Sequence, residues 1–214
     1  MYDQQTKSVW LQLTGECVDG AMDGRQLNLM PCRHVTWAEW KRDHPDSEVL
    51  SPGPGVKAFS RVTVERGGTA LPDGFLSTMQ ERHSAFPHWA LTLGVDVAGE
   101  STAYNIADLR TLAGGLLNDA VCGEAIVVGA APETGSPFAF SRIVEGRLLT
   151  FGQQSEGRIR DIGTGSVFTH EGYCVSGPLA GTQLRQLQSM QCEWYGWYAS
   201  RPNTAIWDKT GRIR

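Results

Sequence analysis

The chain predicts an α+β fold, mainly antiparallel β with a few short helices, built as two related units from an internal duplication. Three observations carry this. A constant offset of 157 residues takes Gly15 to Gly172, Cys17 to Cys174, Gly20 to Gly177, Gly24 to Gly181, Trp37 to Trp194, Trp40 to Trp197 and Pro45 to Pro202. Just upstream the offset becomes 158, taking Asp3 to Asp161, Thr6 to Thr164 and Ser8 to Ser166. A solenoid would repeat every 20–50 residues or so, and so long an offset points to a duplicated unit instead. The apolar runs are short and cut by glycine and proline, which favours strands joined by turns. Each copy also carries Trp-x-x-Trp, a spacing that puts two indoles on one helix face.

In chain order, Thr36–Asp43 is expected as a helix capped by Thr36 and stopped by Pro45. Ser51–Gly55 reads as a linker, and Pro72 or Asp73 opens a second helix to about His83. Ile106–Leu117 reads as a third helix, weakened by Gly114-Gly115. Strands are expected at Glu124–Ala131, Pro137–Ile143, Arg147–Gly152, Ser166–Thr169 and Tyr173–Ser176. Glu145-Gly146 tips a hairpin. Glu193–Ser200 repeats the first helix and ends before Pro202. The units are then 1–51, a tail-half repeat; 52–87, a connecting segment; 88–208, a nearly complete repeat; and 209–214, a tail. The first unit lacks its front half, so a homodimer or an intimate intrachain pairing is expected to cover its open strand edge and apolar surface.

At 214 residues the chain can bury a sizeable core, and 41% apolar with 20% charged content is ordinary for a globular protein. A net charge of −4 without a basic cluster argues against nucleic acid as a partner. No run reaches the roughly 18 apolar residues of a membrane span. As the chain stands it reads as cytoplasmic, while the truncated first unit leaves room for an export signal upstream. The five cysteines form no C-x-x-C pair and no zinc-type spacing, so they read as reduced, mostly buried thiols. No cofactor or metal is implied.

Several motifs in order resemble a known family. They are Asp3-Gln4-Gln5-Thr6-Lys7-Ser8-Val9-Trp10, then Gly15, Gly20, Gly24 and Leu27, then Thr36-Trp37-Ala38-Glu39-Trp40 with His44-Pro45-Asp46. This series resembles the tail of the bacterial domain-of-unknown-function family 3179. The second copy looks similar from further upstream, with Gly94-Val95 and Ala103-Tyr104 as opening strands and Asn118-Asp119 as the family's asparagine–aspartate turn. The resemblance implies redox chemistry from a Cys-Pro-Leu-Cys-Gly run after the central strand. Here that segment is Gly129-Ala130-Ala131-Pro132-Glu133-Thr134-Gly135-Ser136-Pro137, without a cysteine. A dithiol mechanism needs two close sulfurs, one to attack and one to resolve. The expectation is a non-redox module that binds a small molecule or a protein. The alternative is a hydrolase that reuses the vacated pocket.

A pocket's position can outlast its chemistry when the scaffold still presents the loop. The candidate acid–base groups are accordingly Glu133, Asp119 and His170. Asp161, Ser166, Ser136 and Trp89 are the candidate binding residues. Against this stand bland readings. An Asp-x-x-Thr-x-Ser run is usually a turn in which Asp accepts from nearby backbone N–H groups, and most of the seven tryptophans are expected in cores, with Trp89 and Trp207 the more exposed.

Overall fold

The computed structural model describes residues 1–50, 74, 77, 83–155, 157–209 and 211–213. The Ser51–Gly55 linker and most of the helix expected from Pro72 lie outside these residues. The N-terminal part holds β1 (Val9–Trp10) and β2 (Cys17–Asp19), an antiparallel pair, and the helix α1 (Trp37–Asp43). Thr36 caps α1 by accepting from the Glu39 amide, as its position before the apolar pair requires.

The remainder begins with β3 (Leu91–Val97), β4 (Glu100–Asn105) and α2 (Ile106–Thr111), which Asn105 caps with its side-chain oxygen. Next come β5 (Leu116–Val121), β6 (Glu124–Ala130), β7 (Pro137–Ser141) and the hairpin β8 (Ile143–Val144) with β9 (Arg147–Leu148). Glu145 and Gly146 at its tip have φ of 49° and 78°, the left-handed pair of a two-residue hairpin turn. The chain continues through β10 (Phe151–Ser155), β11 (Arg158–Asp161), β12 (Val167–Thr169), β13 (Cys174–Ser176) and β14 (Gln188–Glu193). It closes with α3 (Trp194–Ser200), β15 (Ala205–Asp208) and β16 (Gly211–Ile213). Among the described residues, β5-β6-β7 form one sheet, β10-β11-β12-β13 a second and β14-β3-β4-β15-β16 a third. The named strand pairs are antiparallel except β4 with β15.

Strand β6 sits at the centre because its run Ile126-Val127-Val128 is apolar on both faces. Ile126 and Val128 join Leu93, Val95, Tyr104 and Leu109 in the core under α2. Val127 points the other way, into Phe138, Phe140, Phe151, Ile159 and Phe168 between the sheets. On the third sheet, Trp194 and Trp197 of α3 pack with Phe86, Ala103 and Ile206. Gly94 makes room for them: a methyl there would stand 2.3 Å from the Trp197 ring.

Several expectations need correction. The helix expected to Leu117 ends at Thr111, because Gly114 turns left-handed (φ 76°) inside a short 3₁₀ turn and Leu116 enters β5. Asn118 and Asp119 lie in β5, not in a turn, opposite Val127 and Ile126. The Asn118 amide acts as a strand partner there, donating to the Phe151 carbonyl at 2.6 Å and accepting from the Phe151 N–H at 3.0 Å. Trp207 is buried against Tyr104, whereas Trp37 and Trp40 are 52% and 42% exposed. Trp194 and Trp197, 157 positions further on, are 1% exposed.

The two Asp-x-x-Thr-x-Ser turns carry the same hydrogen bonds. Thr6 donates to Asp3 and Thr164 to Asp161, each threonine hydroxyl pairs with the serine, and that serine accepts from Met22 or Leu179. Gly20 and Gly177 have φ of 96° and 95°, and a methyl on either would lie 2.6 Å from the Ser8 or Ser166 Cα. Cys17 and Cys174, both buried, each donate to a carbonyl two residues on.

Candidate functional site

The segment after β6 turns tightly. Ala131 donates to the Ser136 carbonyl and Gly135 to the Ala131 carbonyl, with Gly135 at φ 73°. This returns the chain into β7 and turns the Thr134 and Ser136 hydroxyls toward α1. From α1 comes Glu39, 5% exposed. Its Oε2 accepts from Ser136 Oγ at 2.5 Å and from Thr134 Oγ1 at 2.9 Å. Arg33 stands beside the pair, with Nη2 at 3.7 Å from Glu39 Oε1, an ion pair too long for a hydrogen bond. Its Nε donates to the Pro137 carbonyl at 3.2 Å, which ties the guanidinium to the loop independently of Glu39. Nη2 itself has no hydrogen-bond partner among the described residues. Burial lowers the Arg33 pKa, opposed by Glu39.

His170 follows β12 and closes the floor. It is 3% exposed, its backbone N–H donates to the Gly157 carbonyl, and its ring stacks on Phe138 at 5.0 Å. Neither ring nitrogen has a partner among the described residues. Burial, with Arg33 and Arg42 adding to it against Glu39 and Asp43, pushes its pKa down to about 4. The imidazole is therefore neutral near pH 7, with one nitrogen able to donate and one able to accept.

Two clefts share Glu39 as a wall. One of about 200 Å³ is lined by Glu39, Arg42, Ala131, Glu133, Thr134, Gly157 and His170. The other, about 320 Å³, runs past Cys32, Arg33, Trp40 and Asp43 to His44 and Glu171. His44 Nε2 and Glu171 Oε1 are 2.7 Å apart at that end. A larger polar groove near Arg201 lies away from this loop, and its arginine is held by Asp96.

The fold thus brings Glu133 and His170 into one lining, with Glu133 exposed at the mouth, and Ser136 reaches it only through its hydrogen bonds with Thr134 and Glu39. It does not bring Asp119, whose carboxylate accepts from the Tyr104 hydroxyl at 2.7 Å and is not part of the lining. Asp161 and Ser166 are buried in their own turn. Hydrogen bonds from Thr164, Thr150 and Gly163 lower the Asp161 pKa against the effect of burial. Trp89 lines a separate shallow cleft with His83, Phe86 and His88. Sequence reasoning missed Glu39 and Arg33. The offset of 157 residues offered the signal: it superposes both tryptophans of the two helices, yet it pairs Glu39 with Gly196 and Arg33 with Met190.

A β-rich α+β chain with a polar cleft beside its central strand is the class that the fold and site define. The model of the DUF3179 family, described as a protein of unknown function, matches residues 1–204, and the chain belongs to that family. No curated protein and no solved structure matches it.

Proposed function

We propose that this chain is a non-redox module that binds a small molecule in the cleft between α1 and the loop 131–136. The observation that carries this is His170, a buried imidazole whose two nitrogens have no partner among the described residues, at the floor of a polar cleft. Buried polar groups are normally paired, and one left open in a concave site points to a ligand. The loop supports the non-redox part. Ala131-Pro132-Glu133-Thr134-Gly135 overlays the Cys-Pro-Leu-Cys-Gly run with proline and glycine matched, which puts Ala131 and Thr134 at the cysteine positions. Thr134 then gives its hydroxyl to Glu39 where a thiol would have reacted.

The shared turn networks at Asp3 and Asp161 support an internal duplication in which the first copy was recruited to wall the site of the second. The exposed Trp37 and Trp40 support self-association through the first copy, and sedimentation as a monomer at high concentration would retire that extension. A hydrolase is the weaker reading, because its acid–base pair is not assembled: Asp119 is committed to Tyr104. Saturation-transfer NMR against a library of small polar compounds tests the binding reading. Hits should change affinity in Glu133→Gln, which removes a charge at the mouth, while the melting temperature stays unchanged. Hits indifferent to Glu133 and His170 substitutions would overturn it.

A further inference from the structure

The groups that receive the Glu39 carboxylate form a site in their own right. Two hydroxyls, Ser136 Oγ and Thr134 Oγ1, donate to one of its oxygens. Arg33 faces the other oxygen and is fixed by its bond to the Pro137 carbonyl. His170, nine-tenths buried and more, lines the smaller cleft with Glu39 and Thr134, across Glu39 from the cleft that Arg33 lines, and neither ring nitrogen has a partner among the described residues. If Glu39 withdrew, the set would hold one buried guanidinium, two hydroxyl donors and a neutral imidazole. Such a set keeps a buried guanidinium whose strongest charge partner is gone, with Glu171 and Asp43 left as weaker ones, and it suits an anion with two oxygens.

The element that supplies Glu39 is lightly held. Helix α1 has seven residues, and both its tryptophans are about half exposed. The matching helix α3 is clamped by the third sheet through Trp194 and Trp197, and has Gly196 where α1 has Glu39. So the copy that is locked in place has no carboxylate, and the copy that carries one lacks the lock.

We propose that the loop 131–136, with Arg33 and His170, is a receptor for small carboxylic acids, and that Glu39 occupies it as an internal stand-in until such a ligand displaces α1. This rests on the binding reading above and names its ligand class. The clefts on either side of Glu39, about 200 Å³ on the His170 side and about 320 Å³ on the Arg33 side, suit a small acid. Because Glu39 competes from within the chain, the resident carboxylate sets a threshold on ligand concentration.

The test uses propionate and its neutral isostere propionamide, with tryptophan fluorescence reporting on α1 and the ring resonances of His170 reporting on the floor. In the wild-type protein propionate should shift both signals saturably, and propionamide should shift neither. Glu39→Gly, the residue of the second copy, should bind propionate at least tenfold more tightly, because the internal competitor is gone. Two results would overturn the proposal: equal responses to acid and amide, or binding by Glu39→Gly with a silent wild-type protein, which would make Glu39 a structural ion-pair partner only. The wild-type comparison stands even if the variant fails to fold. A non-acid ligand located in the cleft would refute the carboxylate assignment and leave the binding reading intact. A cleft that takes no ligand would remove both.

Discussion

Replacing His170 with phenylalanine should make the protein less sensitive to mild acid. In the folded chain the imidazole titrates at about 4, against an ordinary value of 6.5, chiefly because burial beside Arg33 and Arg42 penalises its charged form. The groups facing it are Arg33, Arg42, Glu39 and Asp43, and the two acids only partly offset the two arginines. Between pH 6.5 and 4 the unfolded chain binds a proton that the folded chain does not, so stability falls as the pH falls through this window. Below about 4 both states carry the proton and this loss is complete. At roughly 1.4 kcal/mol for each unit, the shift amounts to about 3 kcal/mol, a large share of the roughly 5–15 kcal/mol typical of a folded domain. The carboxylates with lowered pKa, Asp3, Asp43 and Asp161, lose their contribution only below about pH 4, so the two windows separate. Urea unfolding at pH 7.5 and 4.5 measures the effect. The wild-type protein should lose about 2–3 kcal/mol between them, and His170→Phe, whose ring can still stack on Phe138, should lose less than about 1. Equal slopes in the two proteins would refute the account of a buried neutral imidazole.

Three further outcomes follow from the packing. Gly94→Ala places a methyl 2.3 Å from the Trp197 ring. Trp197 is pinned by its bond to Thr204 at 3.1 Å, so overpacking should cost about 3 kcal/mol in chemical denaturation. Gly177→Ala meets the Ser166 Cα at 2.6 Å with φ at 95°, and should lower the melting temperature at least as far. In a thiol-reagent time course, Cys32 and Cys122 should react first, since Cys17 and Cys174 are buried and burial pushes the Cys192 thiol up to about 12.

The sequence makes local features legible and leaves their surroundings hidden. The Asp-x-x-Thr-x-Ser turns could be read because their hydrogen bonds run between residues two or three apart, and the hairpin at Glu145-Gly146 was equally local. Trp-x-x-Trp fixes a helix face but says nothing of what lies over it, so α3 is clamped by a sheet while the tryptophans of α1 stand half exposed. The family resemblance implies a turn at Asn118-Asp119, yet β6 on one side and the Phe151 backbone on the other keep it extended and use the amide as a ladder partner. Ile106–Leu117 has the length of a helix, and the left-handed Gly114 ends it in favour of β5. Of the candidate site, Glu133 and Ser136 were legible because they lie in the loop after the central strand, and His170 because it follows close on Asp161 and Ser166. Glu39 and Arg33 were not, because their contacts to Thr134, Ser136 and Pro137 span about a hundred residues. Only the mismatch across the 157-residue offset marked them.

A crystal structure of the full chain soaked with short carboxylic acids and other small polar compounds tests the central claim most directly. The account predicts a bound molecule between α1 and the loop 131–136, within hydrogen-bond reach of Arg33, Ser136 or His170, with Glu39 moved aside wherever the molecule is an acid. Bound molecules found only elsewhere, such as in the groove beside Arg201, with Glu39 still on Ser136 and Thr134, would contradict it.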